Sequence, residues 1–352
     1  MTLKELLESG YEAKASDIHV MPGRPAMFRI NGTISAYGSS GIEVNEMEKM
    51  LQMLLTEAQM EELEQYKEIE TAVTLFGWFR IRINVFSQRE SYCASIRLLS
   101  SVIPTPRELF LPPEFLALAK EKKGLIFIAG ESGSGKSTTA ASLLNEISVC
   151  ETKHIMTLER PIEYLLTHGK GLMSQKEMDG NEEAYADAVK AAVRQDADVI
   201  FIGNIFDAET ISEAVLAAES GRLVVAALSA PSAVDALENI VQRFYSFRRE
   251  EMQRRIANVL KGIIVPRLLP VCGAKERRAV YEVLLEDKEI RMLIREGRFS
   301  QISSVMEKNR DLGMQTMDDA ILSAYMKSVI SSETAVDFAS DREKMLRRMK
   351  IY

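Results

Sequence analysis

Four short apolar runs, each four to six residues long, mark the middle of the chain at 125–129, 154–158, 199–202 and 223–228. Runs of that length are too short for buried helices and predict strands of a parallel sheet covered on both faces. Between them, 181–194 and 208–218 carry apolar residues at helical spacing. Residues 138–147 are rich in Ala and Leu without Pro or Gly and predict a further helix. Strands alternating with helices predict an α/β fold.

The flanks follow other patterns. Residues 3–9 read as a short helix, 26–31 as a strand, and Asn31-Gly32 as a hairpin turn into a second strand. Met47, Met50, Leu51, Leu54 and Leu55 recur at helical spacing within 44–64, which predicts one or two helices. Residues 71–76 and 78–86 alternate like paired strands around Gly77, and 91–99 predicts another. The span 1–100 is therefore expected to be an α+β domain. A linker at 101–113 follows, where Pro104, Pro106, Pro112 and Pro113 interrupt regular structure. The α/β core is expected over 114–285. A helical tail over 286–352, with helices at 289–296, 299–309, 317–327 and 332–339, is expected to pack on the core or on a neighbouring subunit.

Composition narrows the setting. A chain of 352 residues can bury two sizeable cores. Its 46% hydrophobic and 27% charged residues are ordinary for a soluble protein. The net charge of −7 disfavours general nucleic-acid binding. Cys93, Cys150 and Cys272 stand far apart without metal-ligand spacing, which points to a reducing compartment. Lys4, Glu5 and Glu8 stand where a signal peptide would carry a basic then an apolar stretch, so a cytoplasmic location is expected.

The chemistry begins at Gly130-Glu131-Ser132-Gly133-Ser134-Gly135-Lys136-Ser137, which fits G-x-x-x-x-G-K-[ST] between a predicted strand and a predicted helix. Glycines let backbone N–H groups turn inward around a phosphate, and the helix N-terminus adds partial positive charge. Ser132 to Thr138 are the candidate nucleotide contacts: Ser132, Gly133, Ser134, Gly135, Lys136, Ser137 and Thr138. Lys136 would reach the β- and γ-phosphates of ATP and Ser137 would hold Mg²⁺.

Further segments extend the pattern across nearly the whole chain. They are Ala15-Ser16-Asp17-Ile18-His19, Phe79-Arg80-Ile81-Arg82-Ile83-Asn84-Val85-Phe86, Thr157-Leu158-Glu159-Arg160-Pro161-Ile162-Glu163 and Gln175-Lys176-Glu177. Later come Ala218-Glu219-Ser220-Gly221, Pro266-Arg267-Leu268-Leu269-Pro270, Ile290-Arg291-Met292-Leu293-Ile294-Arg295-Glu296-Gly297 and Gly313-Met314-Gln315-Thr316-Met317. Taken together they resemble the PilT-type retraction ATPases of type IV pili, within the secretion-ATPase family. The resemblance implies an N-terminal PAS-like domain, a RecA-like P-loop core and a hexameric ring. It implies ATP and Mg²⁺ as cofactors, with the nucleotide between the two domains and beside a neighbouring subunit. The implied partners are further copies or an active paralogue, and an inner-membrane platform protein that would hold the chain peripherally at the membrane.

The departures from that family fall on residues that do chemistry. Its G-E-M-R-D segment reads Gly203-Asn204-Ile205-Phe206-Asp207, so Asn204 replaces the glutamate that activates water. An amide cannot take a proton at neutral pH, and losing a general base costs about two to four orders of magnitude in rate. The T-L-H-T box reads Ala227-Leu228-Ser229-Ala230, with Ser229 for His. Glu159 and Glu163 remain, but Arg160 replaces the Asp between them, and Arg222 replaces another His. The leading expectation is a subunit that binds Mg-ATP and hydrolyses it weakly or not at all. The alternatives are an active motor with Glu159 as base, or water positioned by Asn204 itself. Arg80 and Arg82 either reach phosphates across an interface, as the family implies, or line a solvated strand face with Trp78. His19 reads as a fold residue. Arg248, Arg249, Arg254 and Arg255, interleaved with Glu250 and Glu251, read as a solvated or subunit-contact helix face.

Overall fold

The computed structural model describes residues 2–351 apart from Asn31, Trp78, Glu90, Ser100, Ser101, 179–182, Phe206 and Lys275. The chain divides into two compact units. The first is Met1–Val102 with Pro161–Leu165, and the second is Ile103–Arg160 with Leu166–Tyr352.

The first unit begins with α1 (Leu3–Glu12), whose start is fixed by a capping box between Thr2 and Glu5. Strands β1 (Asp17–Val20), β2 (Ala26–Ile30) and β3 (Thr33–Tyr37) follow, then α2 (Val44–Leu54) and α3 (Glu57–Tyr66). The helical spacing over 44–64 thus resolves into two helices, because Thr56 caps α3 through Gln59. Strands β4 (Glu68–Leu75), β5 (Phe79–Gln88) and β6 (Ser91–Leu98) complete a six-stranded sheet in the order β3-β2-β1-β6-β5-β4. The turn after β4 places Phe76 and Gly77 at φ 51° and 83°. The turn expected at Asn31-Gly32 involves Asn31, which lies outside the described residues. Alternate residues such as Ile81, Ile83 and Val85 are buried with Leu6, Leu7, Met47 and Leu51 from the helices.

In the second unit α4 (Pro113–Ala117) leads to β7 (Gly124–Ala129), α5 (Lys136–Cys150), β8 (His154–Glu159), β9 (Leu172–Glu177), α6 (Glu183–Arg194) and β10 (Val199–Ile202). Then come α7 (Ala208–Glu219), β11 (Leu223–Leu228), α8 (Ala233–Gln242), α9 (Ser246–Val259), β12 (Leu260–Pro270) and β13 (Arg277–Leu285). The seven strands run β13-β12-β7-β11-β10-β8-β9, parallel throughout except for the antiparallel β12–β13 pair. Alternation along β7 sends Leu125, Phe127 and Ala129 into one core and Ile126 and Ile128 into the other, so helices cover both faces.

In this unit three strands were not anticipated from the sequence: β9, β12 and β13. β9 reads Leu-Met-Ser-Gln-Lys-Glu, with too little apolar content to register as a run. β12 contains Pro266, which suggests a break. It pairs with β7 from Leu260 to Ile264, so Pro266 faces β13 alone and costs no central ladder bond.

The tail forms α10 (Lys288–Arg295), α11 (Ile302–Lys308), α12 (Met317–Met326), α13 (Ser332–Phe338) and α14 (Arg342–Ile351). Ile290, Leu293, Ile302, Ile321 and Ala335 are buried in the same apolar cluster as Leu237 and Ile256. Of the two packings expected for the tail, the structure shows packing on its own core. Among the described residues no helix is long and apolar enough to cross a membrane.

Candidate functional site

The parallel register decides which segments meet. Leu228 pairs with Ala129, Ile202 with Ala226, and Ile202 with Leu158. The C-terminal ends of β7, β11, β10 and β8 therefore lie along one sheet edge. That edge is where open α/β sheets hold ligands. The glycine loop leaves from β7, Ser229 from β11, Gly203-Asn204 from β10, and Glu159 ends β8.

The loop is shaped for an anion. Gly130, Gly133 and Gly135 have φ of 153°, 75° and 102°. Gly130 has no room for a side chain, since a Cβ there would stand 2.4 Å from Ser134 Oγ. Ser134 Oγ is itself buried without a hydrogen-bond partner. Lys136 Nζ donates to the carbonyls of Gly130 at 2.6 Å and Glu131 at 2.8 Å, which keeps its charge over the loop. Helices α7, α8, α10 and α12 each open with a side-chain cap and an acidic residue in the first turn. By contrast, α5 opens on Gly135 with neither. Its first N–H groups and its dipole are left for an external acceptor. An uncapped helix, an orphaned hydroxyl and a lysine over the loop fit a phosphate chain. Among the described residues no cluster of three carboxylate, imidazole or thiol groups stands ready to hold a metal. A divalent ion would then be shared between the Ser137 hydroxyl and the phosphates.

Beside the loop, Gly203 is pressed against β8. A Cβ on Gly203 would meet Leu158 O and Glu159 Cα at 3.2 Å, and its N–H donates to Leu158 O at 2.8 Å. On the other side Ile205 N–H donates to Ala227 O at 2.9 Å. Asn204, half-buried, is thus held between the ends of β8 and β11, and Ser229 is exposed. Glu159 Oε1 accepts from Gln175 Nε2 at 3.2 Å, and Gln175 Oε1 accepts from the Leu166 N–H at 2.8 Å. Tyr185, on α6, is buried near Glu159 and Arg160, and burial pushes its hydroxyl up to about 12.

Several candidate residues stand elsewhere. Arg222 precedes β11, next to the Leu223–Gly124 pair at the opposite edge of the sheet. At about 3.3 Å per residue, that puts it roughly 20 Å from Ser229. Arg222, which the resemblance reads as replacing a His, therefore lies away from Ser229 and Asn204 within the chain. Glu163 belongs to the five-residue stretch that joins the first unit, whereas Glu159 belongs to the second. Arg80 is only 8% exposed, which excludes a solvated face for it. Its Nε and Nη2 donate to Ile162 O at 3.1 and 2.8 Å. Arg82 pairs with Glu70 at 2.5 Å and is partly exposed. Phe206 and Trp78 lie outside the described residues.

Two residues escaped the sequence reading. Gln175 was visible only as part of a resemblance and received no role, because β9 was unrecognised. Glu282 is 7% exposed on β13. Its two oxygens accept from the first N–H of α8 (Ala233, 2.6 Å) and of α12 (Met317, 3.1 Å). A lone glutamate inside an apolar strand was the available signal.

A glycine loop between strand and helix, at the C-terminal edge of a parallel sheet, defines a P-loop nucleotide-binding protein. Residues 1–337 match the family model described as type II/IV secretion system protein, and the chain belongs to that family. It is 30% identical over 335 residues to the type IV pilus retraction ATPase PilT of Pseudomonas aeruginosa, covering 95% of this chain and 97% of that one. It is 32% identical over 350 residues to the type IV pilus ATPase PilU of the same organism, covering 99% and 92%. Among solved structures, the pilus retraction motor PilT with bound ADP matches at TM-score 0.89 and 35% identity over 99% of each chain. The DotB ATPase of Legionella pneumophila, at TM-score 0.81 and 24% identity over 95% of each, shares the fold.

Proposed function

We propose that the chain is a PilT-like, Mg-ATP-binding subunit of a type IV pilus or related secretion machine, with hydrolysis weak or lost. Its role is then regulatory or structural, in a hexameric ring with copies of itself or an active paralogue. It would act in the cytoplasm, peripherally at an inner-membrane platform protein. The observation that carries this reading is the contrast within one sheet edge. The phosphate-binding frame is complete, from the positive-φ glycines to Lys136 and the uncapped α5. The position beside it holds the Asn204 amide, and the resemblance reads Ser229 in place of a His. In this reading Lys136 neutralises phosphate charge, the loop N–H groups and Ser134 to Thr138 donate hydrogen bonds to the phosphate oxygens, and Ser137 shares the ion. Relatives named as pilus ATPases, and one solved with ADP, support the nucleotide and the machine. No nucleic-acid partner is proposed.

A second reading has one observation in its favour. The Glu159 carboxylate is oriented by Gln175 against Gly203, one residue from Asn204. A carboxylate so placed would serve as general base in an active retraction motor. One experiment separates the two. A fluorescent ATP analogue is titrated with Mg²⁺, and phosphate release is assayed on the same protein and on Lys136→Ala. Binding without Lys136-dependent release supports the first reading. Release that both Lys136→Ala and Glu159→Gln abolish supports the second and overturns the first.

A further inference from the structure

The chain leaves β8 after Glu159 and enters β9 at Leu172, running as a loop over 160–171. The stretch Pro161–Leu165 of that loop belongs to the first unit, as does Arg80. Arg80 on β5 holds it there: Nε and Nη2 both donate to the Ile162 carbonyl, at 3.1 and 2.8 Å. Pro161 and Ile162 are buried, and the proline ring fixes φ where the stretch begins. Arg80 is itself anchored. Its own carbonyl accepts from the Leu99 N–H at 3.0 Å and from the Tyr11 hydroxyl at 3.3 Å. One N–H satisfies a carbonyl. Burying a guanidinium to supply two carries a desolvation cost that a neutral donor would avoid. The fork fixes direction as well as distance. Arg82, two residues on, pairs instead with Glu70.

Both ends of the gripped stretch return to one side chain. Gln175 on β9 accepts from the Leu166 N–H through Oε1 at 2.8 Å and donates through Nε2 to Glu159 Oε1 at 3.2 Å. Leu166 is the first residue after the stretch, and Glu159 stands two residues before it. The oxygen and nitrogen of Gln175 belong to one amide and move together. A shift of Leu166 therefore turns Gln175 and reaches the Glu159 carboxylate. Beyond Glu159 lies Gly203, whose Cβ would meet Glu159 Cα at 3.2 Å, and Asn204 follows it.

We infer that Arg80 is a positioning residue for Glu159: by gripping the Pro161–Leu165 stretch it sets, through Leu166 and Gln175, the direction in which the Glu159 carboxylate is held. In this role Arg80 engages a backbone carbonyl and acts on the nucleotide edge through other residues. Releasing the grip frees the carboxylate and leaves the sheet intact, since β8 and β9 remain paired from His154–Leu172 to Glu159–Glu177. The inference deepens the proposed function and rests on it only for what Glu159 faces. The link from Arg80 to Glu159 is a property of the chain with or without nucleotide.

The test uses the full chain without nucleotide. Carboxylates are labelled with carbodiimide and glycine ethyl ester and read by peptide mass spectrometry, and hydrogen exchange is followed at the Leu166 N–H. The forms compared are unaltered, Arg80→Met, Arg80→Lys, Gln175→Met, and Arg80→Met with Gln175→Met. Arg80→Met keeps the volume of the stem without a donor. It should raise both Glu159 labelling and Leu166 exchange by about threefold to tenfold, the worth of one net hydrogen bond. Gln175→Met should do the same from the other end of the relay. The double variant should match Gln175→Met, because two changes on one path do not add. Labelling of the exposed Glu131 should stay constant. Exchange at Ile83 in β5 shows whether the first unit stays folded. Where Arg80→Met loosens that strand, Arg80→Lys decides, since it retains a donor and should give a smaller rise of the same sign. Glu159 labelling that responds to Gln175→Met and to neither Arg80 variant would confine Arg80 to the first unit and overturn the inference. Additive effects in the double variant would overturn it too. A Mg-ATP-analogue titration of the unaltered chain keeps the claims apart: absence of binding there sinks the nucleotide reading and leaves the labelling result standing.

Discussion

Glu282 offers a test of how the tail is tied to the core. Its carboxylate caps α8 and α12 together, at 2.6 and 3.1 Å. Replacing it by Ala orphans two buried N–H groups, each costing about 1–3 kcal/mol, so a loss of about 2–6 kcal/mol is expected. Glu282→Gln retains one acceptor and should cost less. The pH dependence distinguishes the two forces on the group. Burial, the largest influence, pushes its carboxyl up, while the two N–H donors and Arg267 pull it down. With the folded value above the unfolded one, the native state holds the proton to higher pH. Stability from this group is then fully present below the ordinary carboxylate range, near pH 4.3, and falls as pH rises through the raised value. Gln does not titrate. The stability gap between the unaltered chain and Glu282→Gln should therefore narrow as pH rises from about 4. Urea unfolding by circular dichroism at several pH values reads the gap, and hydrogen exchange at Ala233 and Met317 reports the caps directly. A gap that widens with pH would show that the helix dipoles outweigh burial and would refute the reasoning. A Glu282→Ala cost under about 1 kcal/mol would show that the caps are dispensable.

Other outcomes follow from the site. Asn204→Glu should raise phosphate release by about two to four orders of magnitude if the missing base limits turnover, and an unchanged rate would place the block elsewhere. Gly203→Ala, whose Cβ would meet Glu159 Cα and Leu158 O at 3.2 Å, should cost about 1–3 kcal/mol in urea unfolding. Unchanged stability would mean that the β8 and β10 ends separate freely. In ultraviolet titration, Tyr185→Phe should remove one tyrosine that ionises only near pH 12, because burial disfavours its phenolate. Removal of a tyrosine titrating near 10 would mean that water reaches it.

What the sequence disclosed depended on periodicity. The four central strands and the glycine loop were legible because each is a short apolar run next to a breaker. β12 and β13 were not, because Pro266 and Glu282 interrupt their patterns, and only pairing in three dimensions shows that both are tolerated. The acidic motif was legible as residue types, yet its two glutamates fall into different units, which spacing of four could not reveal. Arg222 lies only seven residues before Ser229, and the resemblance read both as replacing a His. A strand converts that spacing into the full height of the sheet. For Arg80 a solvated strand face stayed open beside a phosphate contact, because alternation gives the face of a strand and not what covers it. The Ile162 carbonyl comes from a segment about eighty residues later.

The residues that the resemblance reads as kept and those it reads as altered sit in different places. Phosphate binding relies on backbone N–H groups, positive-φ glycines and the start of α5, all built into the sheet-to-helix turn after β7. Glu159, half-buried at the end of β8, has Gly203 against its backbone and Gln175 on its carboxylate. Arg160 and Ser229 are exposed beyond strand ends, and Asn204 is half-buried just past β10. Changing such side chains leaves the fold intact, since loops past strand ends carry function more than packing. Loss of turnover would therefore leave no mark on stability. Glu159→Gln and Asn204→Glu should both preserve the unfolding curve within about 0.5 kcal/mol, so any change they make in phosphate release reports chemistry alone. A larger loss for Glu159→Gln would mean that its carboxylate serves the fold, and that its presence says nothing about catalysis.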